Sequence, residues 1–230
     1  MSDAKISDVK ARVSDAYGTL SDVHSAAGKC STDLGDKADQ VSNTWRGKQL
    51  QYSWLRSLMG EFLPFWQVRG EALDYALSES GIENAVLRDK LINLYLQLNC
   101  YPKVPRVLKT LQGAGKQTGI LSNGSRYVLD STVANSTLAE LLDTPLSVDD
   151  VGVFKVEPQV CEMASARFSC EPREISFMSS KTWDAWAASH FGFQVAWVNR
   201  CGQPPDHLPG RPSAEIKDLN ELPPHTRTLR

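Results

Sequence analysis

The chain has 230 residues, 41% of them hydrophobic and 23% charged, with a formal net charge of −2. That length allows one medium domain, or one domain carrying an insertion, with a sizeable core. The near-balanced charge and scattered basic residues argue against a nucleic-acid partner or membrane-surface binding. There is no apolar run of about 18 residues to span a bilayer, and no apolar segment at the start to act as a secretory signal.

The five cysteines (Cys30, Cys100, Cys161, Cys170, Cys201) are odd in number, widely spaced and free of any CxxC pair. That spacing speaks against a zinc site and a disulfide framework, so a reduced cytoplasmic protein is expected. The four histidines (His24, His190, His207, His225) lack metal spacing and read as structural or exposed.

Residues 1–7 read as frayed. Residues 9–14 read as the first strand, although central parallel strands are usually near-continuous apolar runs. Arg12 and Ser14 break that pattern: either one face of the strand is wetter than usual, or the core is weakened there. A buried serine in place of a large apolar residue costs on the order of 2–4 kcal/mol if the site cannot collapse. Gly18, three residues after Asp15, suits a tight turn.

Residues 21–101 then turn helical. Within 44–59, apolar residues recur at three- and four-residue spacing, and Leu50, Trp54, Leu55, Leu58 and Met59 form one stripe. Residues 71–77 and 86–98 read as further helices, and no strand is convincing in this block.

From Lys103 onward helix and strand alternate. Helices are expected at 104–113, 125–142, 158–168 and 183–191, and strands at 118–124, 146–148, 175–179 and 194–199. The proline-rich tail from Gly202 reads as loop plus a terminal helical turn. Repeating β-α units imply an α/β fold, a mainly parallel sheet with helices on both faces.

Four strand ends deliver polar residues to one edge of that sheet: Asp15, Ser122, the Phe154-Lys155 turn, and the stretch from Ser179 to Asp184. Such convergence at the carboxyl ends of parallel strands is where open α/β sheets bind ligands. Two looser motif matches fail on their residues. The stretch 113–118 lacks the first glycine of a phosphate loop and has Gln117 where Ser or Thr is needed. The stretch 120–124 lacks the first glycine of a nucleophile elbow.

Asp15-Ala16-Tyr17-Gly18-Thr19-Leu20-Ser21-Asp22 resembles the nucleophile motif of the haloacid dehalogenase superfamily, and most closely that of its (S)-2-haloacid dehalogenase branch. The likeness continues through residues 45–59, Ile120-Leu121-Ser122-Asn123-Gly124-Ser125, Val153-Phe154-Lys155, Ser179-Ser180-Lys181-Thr182-Trp183-Asp184 and Trp197-Val198-Asn199-Arg200. It implies a Rossmann-like core at 8–20 and 103–222, with an inserted α-helical cap at 21–102.

The same resemblance implies hydrolysis of (S)-2-haloacids to (R)-2-hydroxyacids by two displacements. Asp15 attacks the halogen-bearing carbon and becomes an ester. Water oriented by Asp184 then hydrolyses it, with Lys155 keeping both carboxylates ionised. Thr19 and Ser179 would hydrogen-bond the nucleophile or its neighbours. Arg46, Asn123 and Trp183 would cradle the halide. Ser122 and the N–H groups of Ala16 and Tyr17 would hold the substrate carboxylate. Tyr17, Leu50, Phe65 and Trp183 would wall the apolar side.

Phosphatases of the superfamily carry a second aspartate, beside a magnesium site, where this chain has Tyr17. The expectation is therefore no metal, no cofactor and no phosphoryl transfer. The family often forms dimers, which makes a homodimer the expected assembly. The chain departs from the family pattern at Lys181 (Asn in the family), Cys161 (Tyr) and Val156 (Pro). Lys181 either points inward, binding anions tightly but competing for Asp184, or snorkels outward. Cys161 reads as a buried inert thiol rather than a nucleophile. These departures keep a second reading open, a weakly active or inactive relative that binds small carboxylates. A metal-dependent phosphatase is the third.

Overall fold

In the computed structural model, residues 6–22, 31–98, 100–134, 138 and 140–222 are described. Strand β1 (Ala11–Ser14) is buried along its whole length, and it pairs in parallel with β2 (Gln117–Ser122) on one side and β4 (Ile175–Ser179) on the other. β3 (Thr144–Ser147), β5 (Gln194–Val198) and β6 (Ala214–Ile216) complete a six-stranded sheet of order β3-β2-β1-β4-β5-β6, parallel at every junction. A parallel sheet needs crossovers that bury both its faces, which is why these strands read as apolar runs.

Helices supply that cover. On one face, Val104, Val107, Leu108 and Leu111 of α4 (Val104–Gly113), with Leu129 of α5 (Arg126–Ala134), pack on Ile120, Met178, Ala196 and Val198. On the other, α6 (Pro158–Phe168) and α7 (Thr182–Phe191) cover Val13, Leu121, Phe177 and Val195. The α/β class with a Rossmann-like parallel sheet is as the sequence reading has it.

Between β1 and α4 the chain is helical. α1 (Ala38–Met59), α2 (Phe65–Glu79) and α3 (Ala85–Asn93) bury a core of their own around Val41, Trp45, Leu73, Leu77 and Leu91. Gly60 ends α1 with φ +70°, and its N–H closes the last turn onto Arg56 O and Ser57 O. Phe62 and Phe65 reach Phe154 with ring centroids 5.0 and 6.0 Å away, and Trp54 meets Trp183 edge-on at 5.6 Å. These contacts fix the helical block over the carboxyl ends of the strands.

Several expectations are corrected. Of the stripe 50, 54, 55, 58, 59 on α1, only Leu50 and Trp54 turn inward, and both are only half-buried. Val41, Trp45, Gln49 and Ser53, spaced by four, are buried, whereas Leu55, Leu58 and Met59 are 46, 78 and 71% exposed. β1 starts at Ala11, and Arg12 and Ser14 are both 1% exposed. The wetter face is thus ruled out, and the polar groups lie within the core. Burial pulls the Arg12 guanidinium below its usual range.

The helix expected at 125–142 ends at Ala134, and 140–141 form a turn. The tail hides a short sixth strand, with the expected helical turn at Leu219–Glu221. The segment expected to fray is partly packed: Ile6 is buried and Ser7 exchanges two hydrogen bonds with Gln194. Residues 1–5, 23–30 with His24 and Cys30, and His225 lie outside the described residues.

Candidate active site

Asp15 follows the last residue of β1, where its N–H still donates to Met178 O at 2.8 Å. The chain then turns through Gly18 at φ +86°, a left-handed conformation that favours glycine. Arg200 clamps this turn from β5's side, donating to Gly18 O and Thr19 O at 2.9 Å each while stacking over Tyr101 at 4.1 Å. Thr19 Oγ1 donates to Asp15 Oδ2 at 3.2 Å and accepts from Ser180 N–H at 2.9 Å. One carboxylate oxygen is thereby oriented, which leaves the other for Lys155.

Lys155 sits in the loop between β3 and α6, and its backbone N–H donates to Asn123 Oδ1 at 2.9 Å. Its ammonium lies between two carboxylates, 3.1 Å from Asp15 Oδ1 and 3.0 Å from Asp184 Oδ2. Asp184 is in the first turn of α7, where the helix dipole favours a negative charge. All three side chains are buried. Burial works to lower Lys155, but Asp15 and Asp184 outweigh it and hold the ammonium above its usual range.

Burial pushes the Asp184 carboxyl up to about 6, against the pull of Lys155, with Asp15 adding to the rise and the Ser179 hydroxyl opposing it. The Ser179 oxygen also accepts from Lys181 N–H at 3.2 Å, which shapes the entry to α7.

Above this cluster lies a cavity of about 180 Å³, well below the roughly 300–1,000 Å³ of sites for drug-sized ligands and suited to a small organic acid. Asp15 and Lys155 form its floor with Ser122 and Asn123, and Ser122 Oγ accepts from Gly124 N–H at 3.0 Å. From the helical block, Arg46 and Leu50 of α1 and Phe65 of α2 face into it; Tyr17, Lys181 and Trp183 close the sides. Thr19, Ser179 and Asp184 stand behind the lining as its support, and the buried Ala16 is not among the lining residues.

Of the two alternatives for Lys181, the structure takes the inward one. Its side chain partitions the cavity from a second one bordered by Tyr101 and Arg200. Burial draws its ammonium below the usual range, Asp15 draws it up and Arg46 draws it down. Asp15, rather than the expected Asp184, is its strongest attraction. Cys161 lies near Asp184 and Lys155, and burial pushes its thiol up to about 12, so it is a protonated, inert group at neutral pH.

Two lining residues escaped the sequence reading, Gln49 and Arg69. Arg69 Nε donates to Gln49 Oε1 at 3.3 Å, and the guanidinium packs over the rings of Phe65 and Tyr17 at 4.9 and 5.1 Å. Helical spacing could have found both. Gln49 shares a face with Arg46 and Leu50, and Arg69 follows Phe65 by four.

Residues 9–192 match the model of the haloacid dehalogenase-like hydrolases. The chain is 39% identical over 216 residues to (S)-2-haloacid dehalogenase 1 of Pseudomonas sp. (strain CBS-3), covering 94% of this chain and 95% of that one. Among solved structures, a dehalogenase with intermediate complex superposes with a TM-score of 0.91 at 38% identity, covering 94% and 96%. The L-2-haloacid dehalogenase of Xanthobacter autotrophicus with chloropropionic acid covalently bound superposes at 0.86 and 32%, covering 93% and 96%.

Proposed function

The chain belongs to the haloacid dehalogenase-like hydrolases, and from that premise we propose how its buried carboxylates divide the work of breaking a carbon–halide bond. The enzyme hydrolyses (S)-2-haloacids to (R)-2-hydroxyacids through a covalent ester. The observation that carries our assignment of roles is the Lys155 ammonium bridging Asp15 Oδ1 and Asp184 Oδ2 beneath the cavity.

Asp15 is the nucleophile. Thr19 aims its carboxylate, and the Lys155 ammonium lies against its other oxygen. Attack on the halogen-bearing carbon inverts that centre and expels halide towards Arg46, Asn123 and Trp183. The substrate carboxylate rests on Ser122 and the N–H groups of Ala16 and Tyr17. Once Asp15 is an ester, Lys155 is left with Asp184 alone. Asp184 then takes a proton from water as that water attacks the ester carbonyl, its burial still working to raise its basicity once the charge of Asp15 is gone.

The balance closes with water alone: haloacid plus water gives hydroxyacid, halide and a proton. No metal or organic cofactor is needed in this scheme.

In this reading the helices at 21–102 form a cap over the core at 8–20 and 103–222. The exposed Leu55, Leu58 and Met59 on α1 support a homodimer, which sedimentation of a Leu58→Lys variant would convert to monomer. The free thiols of Cys100, Cys161, Cys170 and Cys201 suit a reducing cytoplasm, and no helix among the described residues is long and apolar enough to cross a membrane.

Turnover of 2-chloropropionate in heavy-oxygen water tests the roles. One round should place label in the peptide holding Asp15, with halide release that survives a chelator. Label that appears only in the hydroxyacid after a single turnover would mean direct attack by water and would sink the scheme.

A further inference from the structure

Lys181 and Trp183 line two cavities at once. One is the catalytic cavity, and the other, of about 240 Å³, also has Thr182, Arg200 and Cys201 in its lining. No carboxylate lines this second space; Asp22, which accepts a hydrogen bond from the Tyr101 hydroxyl, stands outside the lining. The cavity thus presents two cations, the Lys181 ammonium and the Arg200 guanidinium, with no acid between them.

Hydrogen-bond donors remain there too. Among the described residues the Lys181 ammonium makes no hydrogen bond or salt bridge, and Asp15 attracts it only through space. Arg200 commits two N–H groups to Gly18 O and Thr19 O, and its guanidinium has others left. The Thr182 hydroxyl makes no hydrogen bond among the described residues. A guanidinium fork, an ammonium and a hydroxyl around one space are the donors that an oxyanion with several acceptor atoms uses.

We infer that this second cavity is a binding site for a small inorganic oxyanion such as phosphate, held by Arg200, Thr182 and Lys181, and that its occupancy draws Lys181 out of the catalytic cavity. The binding stands apart from the chemistry above, whereas its effect on turnover rests on the dehalogenase reading. In the ester, Asp15 has lost its charge, and Asp184 is the other carboxylate that attracts Lys181. A nearby cation favours the charged form of a carboxylate and so weakens it as a base. An oxyanion that takes Lys181 away relieves Asp184 of that influence, and attack of water on the ester quickens. The catalytic cavity loses a cation at the same time, so KM for the haloacid rises. The site regulates the reaction and takes no part in bond making.

Cys201 provides the reporter. Its thiol is exposed, lines the second cavity and not the first, and lies near enough to Lys181 to act on its charge. Alkylation by N-ethylmaleimide, followed on the Cys201 peptide by mass spectrometry, should slow in inorganic phosphate but not in potassium chloride of equal ionic strength. A charge-assisted hydrogen bond corresponds to about ten- to hundred-fold in affinity, so Lys181→Met should raise the phosphate concentration that protects by about that factor. In the wild type, single-turnover hydrolysis of the preformed ester should quicken in phosphate by about two- to ten-fold, as a rise of up to about one unit in the basicity of Asp184 allows. Competition for the catalytic cavity slows turnover, so acceleration separates the two sites. Both wild-type measurements hold even if the variant folds poorly. Cys201 alkylated equally fast with and without phosphate, or protected as well by chloride, would overturn the site. Protection with an unchanged rate of ester hydrolysis would overturn the coupling through Lys181. No halide release from 2-chloropropionate under any condition would instead count against the dehalogenase reading and leave the protection result to decide the site.

Discussion

Replacing Lys155 by Met removes the cation between Asp15 and Asp184 while nearly conserving volume, so packing beside Phe177, whose ring centroid lies 5.0 Å from the ammonium, changes little. The loss is then electrostatic. Breaking a buried ion pair by deleting one partner costs about 3–5 kcal/mol, because the other charge stays buried without compensation. Here two carboxylates are left facing each other, and they cannot both stay ionised, so the pair takes up a proton in the folded state near neutral pH. Raised carboxyls in the folded variant bind protons that the unfolded chain has released. The variant therefore loses stability as pH rises through the window from about 3.9 towards the raised value, each unit of rise being worth about 1.4 kcal/mol. The deficit relative to wild type should be larger at pH 8 than at pH 5. With a urea slope of at most about 3 kcal/mol per molar, the midpoint at pH 8 should drop by about 1 M or more. Halide release should fall by about a hundred- to thousand-fold, as when a preorganised charge at a reacting centre is deleted. Urea unfolding at the two pH values, with chloride assays alongside, decides the matter. An equal deficit at both, or a midpoint unmoved at pH 8, would refute the bridging role.

Two further substitutions separate the displacements. Burial raises the Asp184 carboxyl to about 6 in the free enzyme with Asp15 adding to the rise, so in the ester, where that charge is gone, its basic form is lost at a pH below that value. Single-turnover ester hydrolysis should therefore decline towards acid pH, by about ten-fold per unit once below that point, with the halide burst less affected. Asp184→Asn should release one halide per site and then stall, with mass spectrometry finding the esterified Asp15 peptide; continued turnover would exclude Asp184 as the base. Lys181→Asn removes a cation from the cavity lining, so KM for 2-chloropropionate should rise and ester hydrolysis should quicken. An unchanged single-turnover rate would remove Lys181 from the account of the second step.

Much of the sheet was legible because parallel strands buried on both faces leave apolar runs that need no partner to be seen. β4 at Ile175–Ser179 and its flanking helix Pro158–Phe168 fell on the expected residues. The misses have physical causes. β6 is three residues long and pairs only at the sheet edge, with Glu215 exposed at its centre, so little apolar pattern marks it. On α1, hydrophobicity and burial part company. Leu55, Leu58 and Met59 outrank Gln49 and Ser53 on any apolar scale, yet the latter pair faces inward. Gln49 is held there by Arg69, and the Ser53 hydroxyl donates to Gln49 O at 2.7 Å. A buried polar face reads as a surface when only periodicity is available.

The site divides along the same line. Asp15, Ser122, Ser179 and Asp184 arrive at strand ends or just beyond them, and strand order alone brings such residues together. The cavity's remaining character comes from α1 and α2, whose rotation about their own axes no strand rule fixes. Arg46 was reached through the family likeness, and Arg69 was not. Yet the two side chains enter from neighbouring helices into one space, and together with Lys181 they give that space its basic lining. The catalytic floor could thus be read from the sequence before the substrate wall could. That order follows from the physics: the sheet sets where the nucleophile stands, and the packing of α1 against α2 sets what it meets.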